Sequence, residues 1–283
     1  MLPELGWMPR LAAALLALGL IVLFTVRALR KDRREYARFR RYRSTARRQA
    51  MMRRWLVESA VLFGGSAVLV LLLVGPVVGP LLAATQALPP VAWLRDALAG
   101  GLGIGLLIGA LLGVALLTLV GVRSARREGG IIMVGDIAAL LPRNRPELGW
   151  GAALSVNAGV VEEALFRLAL PALLVIVTGE PLSAFLLAAL VFGALHAYQG
   201  WAGVLATGIV GLLFTAIYVL SGSIGLAMLV HALFDLRTLV VIPAAVYRVH
   251  EVPGTVLFPK PLAVPAPAPA PAPPHPSSDP SSR

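Results

Sequence analysis

The chain has 283 residues, of which 58% are hydrophobic and only 14% are charged. Several apolar stretches reach the roughly 20 residues that a helix needs to cross a bilayer, which excludes an ordinary soluble globular protein. The absence of cysteine excludes disulfides, thiol nucleophiles and thiolate metal sites. We therefore predict an all-α polytopic membrane protein with about seven transmembrane helices.

The net charge of +11 comes largely from one basic block. Residues 30–54 hold twelve of the 25 lysines and arginines, with Tyr36, Phe39 and Tyr42 among them. Positive residues concentrate in cytoplasmic loops of membrane proteins, and such clusters attract anionic lipid. We interpret the block as a cytoplasmic connection held at the lipid surface, and two conformations stay open for it: an interfacial helix or a solvated charged loop. We expect no nucleic-acid partner.

Seven apolar segments are predicted spans. A basic block follows the first segment and a small-residue cleavage site does not, so we interpret this segment as an anchor and not as a removed signal peptide. Four prolines between residues 76 and 90 predict a connection after the second segment. The predicted spans are residues 11–29, 55–74, 97–122, 150–178, 182–198, 201–220 and 223–246.

The third predicted span has glycines at four-residue spacing. Gly101, Gly105, Gly109 and Gly113 share one helical face, and small residues let membrane helices approach closely. This face is therefore a predicted helix-packing surface. Residues 131–141 form a short apolar piece that we expect at the membrane interface, because it is too short to span.

The basic block also predicts the orientation. If the block is cytoplasmic, the N-terminus lies outside the cell, and seven crossings place the C-terminus in the cytoplasm. The expected location of the protein is the inner (plasma) membrane. The tail repeats Ala-Pro, cannot bury a core and is expected to be disordered. The predicted regions are an anchor and basic loop (1–54), two spans and an interfacial segment (55–147), a motif-bearing core (148–247) and the proline-rich tail (248–283).

The fourth predicted span contains three charged residues. Each ionised residue near the middle of a membrane helix costs about 2.5 to 3.5 kcal/mol on insertion scales, so such residues mark functional sites facing a bundle interior or a wet cavity. Glu163 and Arg167 stand at i and i+4, which favours an ion pair. Glu162 is turned about 100° away and has no local partner.

Two histidines occur in apolar spans. His196 ends the fifth span, and His231 lies in the seventh with Asp235 one turn later on the same face. Under the predicted topology these groups and Glu162 all lie between mid-membrane and the cytoplasmic face. A glutamate beside a neutral imidazole can deprotonate water for attack on a carbonyl, and the remaining groups can stabilise the oxyanion. The alternative is a set of buried polar pairs that lock helices together.

Three motifs in this region resemble a known family. They are Glu-Glu-x-x-x-Arg at 162–167, Phe-x-x-x-His at 192–196 and His-x-x-x-Asp at 231–235. In this order they resemble the CAAX protease and bacteriocin-processing (CPBP) family of intramembrane endopeptidases. The resemblance covers residues 148–241, and Leu168 stands where many members have glycine.

The resemblance implies a protease that cleaves a peptide bond near the cytoplasmic face, between helices in the cytoplasmic half of the membrane. It implies a peptide or membrane-protein substrate, and it does not imply a prenylated one. The implied roles are water activation for Glu162 and His196, oxyanion binding for His231 and Asp235, and structural support for Glu163 and Arg167.

Two chemistries stay open for this site. With zinc, Glu162, His196 and His231 would supply a His2Glu ligand set, and Glu163 would serve as the base. Without a metal, Glu162 is the base. We favour the second arrangement, and no cofactor, because Arg167 already engages Glu163. The alternative functions are a bacteriocin self-immunity or scaffold protein without catalysis, and an ion- or proton-coupled transporter.

Overall fold

The computed structural model describes residues 6–128 and 137–253. This part of the chain is helical with no strands, which confirms the prediction of an all-α polytopic membrane protein. The predicted proline-rich tail lies outside the described residues from residue 254 onward, and the predicted interfacial piece at 131–141 lies mostly outside them.

The N-terminal half consists of two long helical runs followed by two separate helices. The first run contains a π-helical turn (Ala28–Asp32). The second run contains a π-helical turn (Ala60–Gly64) and a 3₁₀ turn (Gly75–Val77). The helices are α1 (Trp7–Arg27), α2 (Arg33–Phe39), α3 (Thr45–Ser59), α4 (Gly65–Val74), α5 (Val78–Gln86), α6 (Pro89–Leu98) and α7 (Gly101–Glu128).

The C-terminal half contains the motif-bearing helices. Two π-helical turns, Ala164–Ala169 and Arg237–Val241, each join two consecutive helices of this half. The helices are α8 (Arg145–Glu163), α9 (Leu170–Thr178), α10 (Pro181–Leu195), α11 (Gly200–Ser221), α12 (Ile224–Leu236) and α13 (Ile242–Tyr247).

Every predicted span coincides with helix, although the third begins at Gly101 and not at residue 97. Among the described residues, four runs are long and apolar enough to cross a membrane: Trp7–Phe39, Thr45–Gln86, Ala197–Ser221 and Ile224–Tyr247. The run from α8 to α9 carries the three charges of the motif, and α10 is shorter than these four runs. The count of seven spans therefore stays a prediction.

The basic block is a helical hairpin, so of the two conformations left open by the sequence it adopts the helical one. Its arms are α2 and α3, and each is continuous with an apolar helix. Arginine, alanine, methionine and glutamine are good helix formers, so a charged stretch of this composition need not be a loop. The prediction that the second span ends at residue 74 was wrong, because the helical run Thr45–Gln86, 42 residues in all, continues to Gln86. Such a run is about 63 Å long, so its charged start projects beyond a bilayer core of about 30 Å.

The acidic and basic side chains of the hairpin lie on different sides of its two arms. The carboxylate of Glu58 accepts hydrogen bonds from Arg27 at 2.8 Å, from Arg54 at 2.8 Å and from Lys31. The acidic groups thus lie between the two arms, and most arginines lie outside. Besides Arg54, which is exposed but pairs with Glu58, nine arginines are exposed: Arg30, Arg33, Arg34, Arg38, Arg40, Arg41, Arg43, Arg47 and Arg53.

One arginine of the hairpin is instead fully buried. Arg48 Nε donates to Glu147 Oε2 at 3.0 Å, and its two Nη atoms donate to the carbonyls of Ala139 and Leu141 at 3.1 and 3.0 Å. The Asn144 side chain caps α8 by accepting from the Glu147 N–H at 3.0 Å. This network fixes the hairpin to the start of α8, the helix that ends in the two motif glutamates.

The closest helix contacts use glycines other than those of the predicted face. A Cβ on Gly101, Gly105, Gly109 or Gly113 would meet no described atom within 4 Å, so the described residues form no packing surface there. A Cβ on Gly159 would instead lie 2.8 Å from the carbonyl oxygen of Met228. Helices α8 and α12 therefore cross almost backbone to backbone at Gly159, one turn before the motif glutamates.

We expect the Arg48 network to stabilise the fold measurably. Arg48→Met would leave Glu147 buried without its cation, and breaking a buried pair costs about 3 to 5 kcal/mol. Thermal unfolding in detergent should show a clearly lower Tm. The control is Arg53→Met, an exposed arginine of the same helix, which should stay within about 0.5 kcal/mol of the wild type. Equal Tm values for both variants would contradict the role of the network.

Membrane orientation can be measured directly because the chain has no cysteine. Ala46 is exposed in the hairpin, and Glu180 is exposed at the turn between α9 and α10. With an impermeant maleimide on intact cells, we expect Glu180→Cys to react and Ala46→Cys to react only after permeabilisation. The cysteine-free wild type is the control, and the reverse labelling pattern would contradict the predicted orientation.

Candidate active site

A cavity of about 600 Å³ lies between α8, α11, α12 and the hairpin. The structure brings the three motifs together at this cavity, although they come from separate helices. Four of the six predicted site residues line it, and two lie behind its wall. The lining residues are Glu162, His196, His231 and Asp235, and the two behind them are Glu163 and Arg167.

A π-helical turn follows the two glutamates directly and contains Arg167. Pro171 lies four residues after Arg167, where its ring would clash with the Arg167 carbonyl in a regular α-helix. The wider π turn relieves this conflict, and π turns of this kind occur often at functional sites. The local sequence therefore favours a π turn directly after the two glutamates that end α8.

Glu163 is the most constrained side chain of the site. Its Oε1 accepts a hydrogen bond from His231 Nδ1 at 2.7 Å, and both side chains are buried. Its Oε2 lies 3.0 Å from Arg167 Nε, an ion-pair distance, but the N–H does not point along a hydrogen bond. Arg167 Nη2 instead donates to the Gly211 carbonyl at 3.0 Å. The expected Glu163–Arg167 pair is present, and His231 is an additional partner that sequence reasoning missed.

Two phenylalanines pack against the two partners of Glu163, Arg167 and His231. The guanidinium carbon of Arg167 lies 4.9 Å from the ring centre of Phe192 and 5.7 Å from that of Phe214. The imidazole of His231 stacks on Phe214 with a centroid distance of 4.6 Å and an angle of 21°. Aromatic faces attract cations, so the two rings orient the guanidinium of Arg167, while ring stacking orients the imidazole of His231.

The second nitrogen of His231 faces two carboxylates. His231 Nε2 lies 3.7 Å from Asp235 Oδ2 and 4.0 Å from Glu162 Oε2, both longer than a hydrogen bond. Asp235 lies one helical turn after His231, but Glu163 makes the short contact to the imidazole. Sequence spacing indicated only the neighbour on the same helix, whereas Glu163 approaches from α8. Nε2 is thus the nitrogen that a bound molecule would meet.

His196 has its tautomer set by the backbone. Its Nδ1 lies 2.9 Å from the carbonyl oxygen of Phe192. A carbonyl only accepts, so Nδ1 carries the hydrogen and Nε2 keeps its lone pair. His196 can therefore accept a proton or a hydrogen bond from water through Nε2.

Sequence reasoning missed that the basic hairpin forms one wall of the cavity. Tyr36, Trp55 and Glu58 from the hairpin line it, and the ring of Tyr36 lies 5.5 Å from that of Tyr198, two residues after His196. The aromatic residues within the basic block were the available signal. They indicate a buried face, which a solvated loop would not need.

The donor arrangement does not match the zinc set that the sequence left open. Within the described part of the chain, no three histidine, aspartate or glutamate side chains are grouped so as to ligate one metal ion. Glu162, His196 and His231 share the cavity without forming such a group. We therefore derive no catalytic step through a metal, and the metal-free arrangement stays a prediction.

The two adjacent glutamates should respond differently to the same substitution. Glu163→Gln would leave Arg167 buried without a counter-charge, at a cost of about 3 to 5 kcal/mol. Glu162→Gln, at the cavity wall, should leave the Tm near that of the wild type. Measuring Tm in detergent compares the two variants as matched controls.

A double variant tests the cause of the loss. Glu163→Gln with Arg167→Met should recover part of the stability, because neither charge then remains buried alone. If Glu163→Gln unfolds at the wild-type temperature, the ion pair does not hold this part of the fold.

Residues 144–237 match the family model described as type II CAAX prenyl endopeptidase, Rce1-like. The match contains all six predicted site residues and the hairpin-binding start of α8. No curated protein and no solved structure matches the chain. Over residues 144–237, about a third of its length, the chain is similar to the Rce1-like type II CAAX prenyl endopeptidases, consistent with the resemblance to the CPBP intramembrane proteases.

Proposed function

We propose that the chain is an intramembrane endopeptidase that hydrolyses a peptide bond with a water activated by Glu162 and His196. One observation carries the proposal: residues of all three motifs line one cavity, while Glu163 is locked behind its wall. The family match supports a CAAX-type protease at the level of the family. The residue roles are our inference from the geometry.

In the first step Glu162 accepts a proton from a water in the cavity, and His196 Nε2 accepts a hydrogen bond from the same water. The water oxygen then attacks the carbonyl carbon of the peptide bond. The tetrahedral intermediate then collapses: the C–N bond breaks, and the protonated Glu162 gives its proton to the leaving amine nitrogen. The proton taken from water thus ends on the amine product, and Glu162 is again a carboxylate for the next cycle.

The oxyanion of this reaction forms on the side of His231 and Asp235. Glu163 accepts from His231 Nδ1, so Nε2 is the nitrogen that can donate to the oxyanion when it carries a proton. Asp235 lies 3.7 Å from the same Nε2 and can donate only in its protonated form. Arg167 contributes indirectly by holding the Glu163 carboxylate.

We further propose that the cavity faces the cytoplasm from the inner (plasma) membrane. The substrate is then a peptide or a membrane protein that reaches the cavity near the bilayer surface. The exposed arginines of the hairpin would bind anionic lipid headgroups, because both arms of the hairpin continue into apolar helices and so lie near that surface.

The decisive variant is Glu162→Gln. Replacing the carboxylate by an amide keeps the shape of the side chain and removes the base, so we expect cleavage to fall about 100-fold or more. The measurement is comparative peptidomics of membranes that contain either protein at equal levels. Glu251→Gln is the matched control, since Glu251 is exposed and lies outside the cavity.

Two results would change the proposal. An identical peptide pattern with wild-type protein and Glu162→Gln would favour a non-catalytic immunity or scaffold protein. Stoichiometric zinc in the purified protein, with activity lost on chelation and restored by metal, would make Glu163 the base.

A further inference from the structure

Arg237 also lines the cavity, two residues after Asp235. It lies at the start of the π-helical turn Arg237–Val241, inside the apolar run Ile224–Tyr247. The sequence motifs do not include it, and the hydrolysis described above does not use it. A charged side chain inside an apolar membrane helix is costly unless it has a partner or a function.

Its contacts differ from those of the other arginines at the site. Arg167 pairs with Glu163 at 3.0 Å, and Arg27 pairs with Glu58 at 2.8 Å. The Nε of Arg237 donates only to the hydroxyl of Thr118 at 2.7 Å, and no described carboxylate lies within 4.0 Å of it. Arg237 is therefore a cation that faces the cavity without a counter-charge among the described residues.

The charge balance of the cavity indicates what would bind there. Glu162 and Asp235 supply carboxyl groups to its lining, while Arg237, two residues after Asp235, supplies a guanidinium. A guanidinium matches the planar geometry of a carboxylate and binds it with two parallel hydrogen bonds.

We propose that Arg237 binds a carboxylate of the substrate peptide, supplied by its C-terminus or by an Asp or Glu side chain. This inference rests on the proposed function, because it assigns Arg237 to the same cavity as a substrate-binding residue.

The position of Arg237 limits where that carboxylate lies. Two residues apart on a helix, Cα atoms are about 5 to 6 Å from each other, and an extended peptide advances about 3.3 Å per residue. The arginine side chain adds a few ångströms of reach. The carboxylate therefore lies within about three residues of the scissile bond.

Binding of defined peptides tests the inference without depending on cleavage. The probes are fluorescent apolar pentapeptides in three forms: with a free C-terminus, with an amidated C-terminus, and amidated with one internal Asp. Binding is measured by fluorescence anisotropy to Glu162→Gln protein in phosphatidylcholine nanodiscs, with Arg237 intact or replaced by Gln. The same pentapeptides are incubated with wild-type protein to score cleavage separately.

We expect Arg237→Gln to raise the Kd of a carboxylate-bearing probe about tenfold or more, as for loss of a charge-assisted pair. The amidated probe without Asp should bind the two proteins equally. If the free C-terminus gives the effect, the carboxylate is terminal, and if the internal Asp gives it, the carboxylate is a side chain.

Two control variants separate binding from packing. Arg126 Nε donates to the Ala245 carbonyl at 2.7 Å, so it also joins α7 to the last helices, but it does not line the cavity. Arg126→Gln should leave every Kd within twofold. Thr118→Val removes the hydroxyl partner and keeps the cation, so it should also have little effect.

The outcomes separate this inference from the proposed function. Equal Kd values with and without Arg237, an equal loss in Arg126→Gln, or no binding of any probe would overturn the inference. A carboxylate-dependent Kd that requires Arg237 would support it even if no probe is cleaved. The proposed function fails separately, if Glu162→Gln leaves the membrane peptides unchanged.

Discussion

The site depends on one buried carboxylate with two partners. Glu163 lies 3.0 Å from Arg167 Nε on its own helical run and 2.7 Å from His231 Nδ1 on α12. Without Arg167, a buried carboxylate at this depth would be costly, and without Glu163, the His231 ring would lose its short contact. The same contact joins α8 to α12 and determines which nitrogen of His231 faces the cavity.

Helical geometry gives the two adjacent glutamates different surroundings. Consecutive residues point about 100° apart, so Glu163 is turned into the protein and its side chain is fully buried, while that of Glu162 is 15% exposed at the cavity. The close crossing at Gly159 brings α12 near enough for both to meet His231. A pair that looks redundant in the sequence can therefore hold one structural group and one reactive group.

The sequence predicted the helices and the six motif residues because charges inside apolar stretches are rare and costly. It could not predict contacts between distant segments. Glu163 and His231 are 68 residues apart, and Arg48 and Glu147 are 99 apart, whereas helical spacing indicates only neighbours on one helix. A helix in the basic block was one of the two open conformations, but the pairing of two helical arms was missed, because positive charge beside a span indicates only its side of the membrane. Arg237 was overlooked because nothing in its spacing related it to the three motifs.

The π-helical turn Ala164–Ala169 makes the length of this segment as important as its composition. A π turn holds one residue more than an α turn, so deleting any one of its residues could restore regular α geometry. The helix before the deletion would then be rotated by about 100° relative to the helix after it. Glu163 would then leave His231 even if every motif side chain were kept. Relatives of this chain should therefore tolerate substitutions in this turn far better than insertions or deletions.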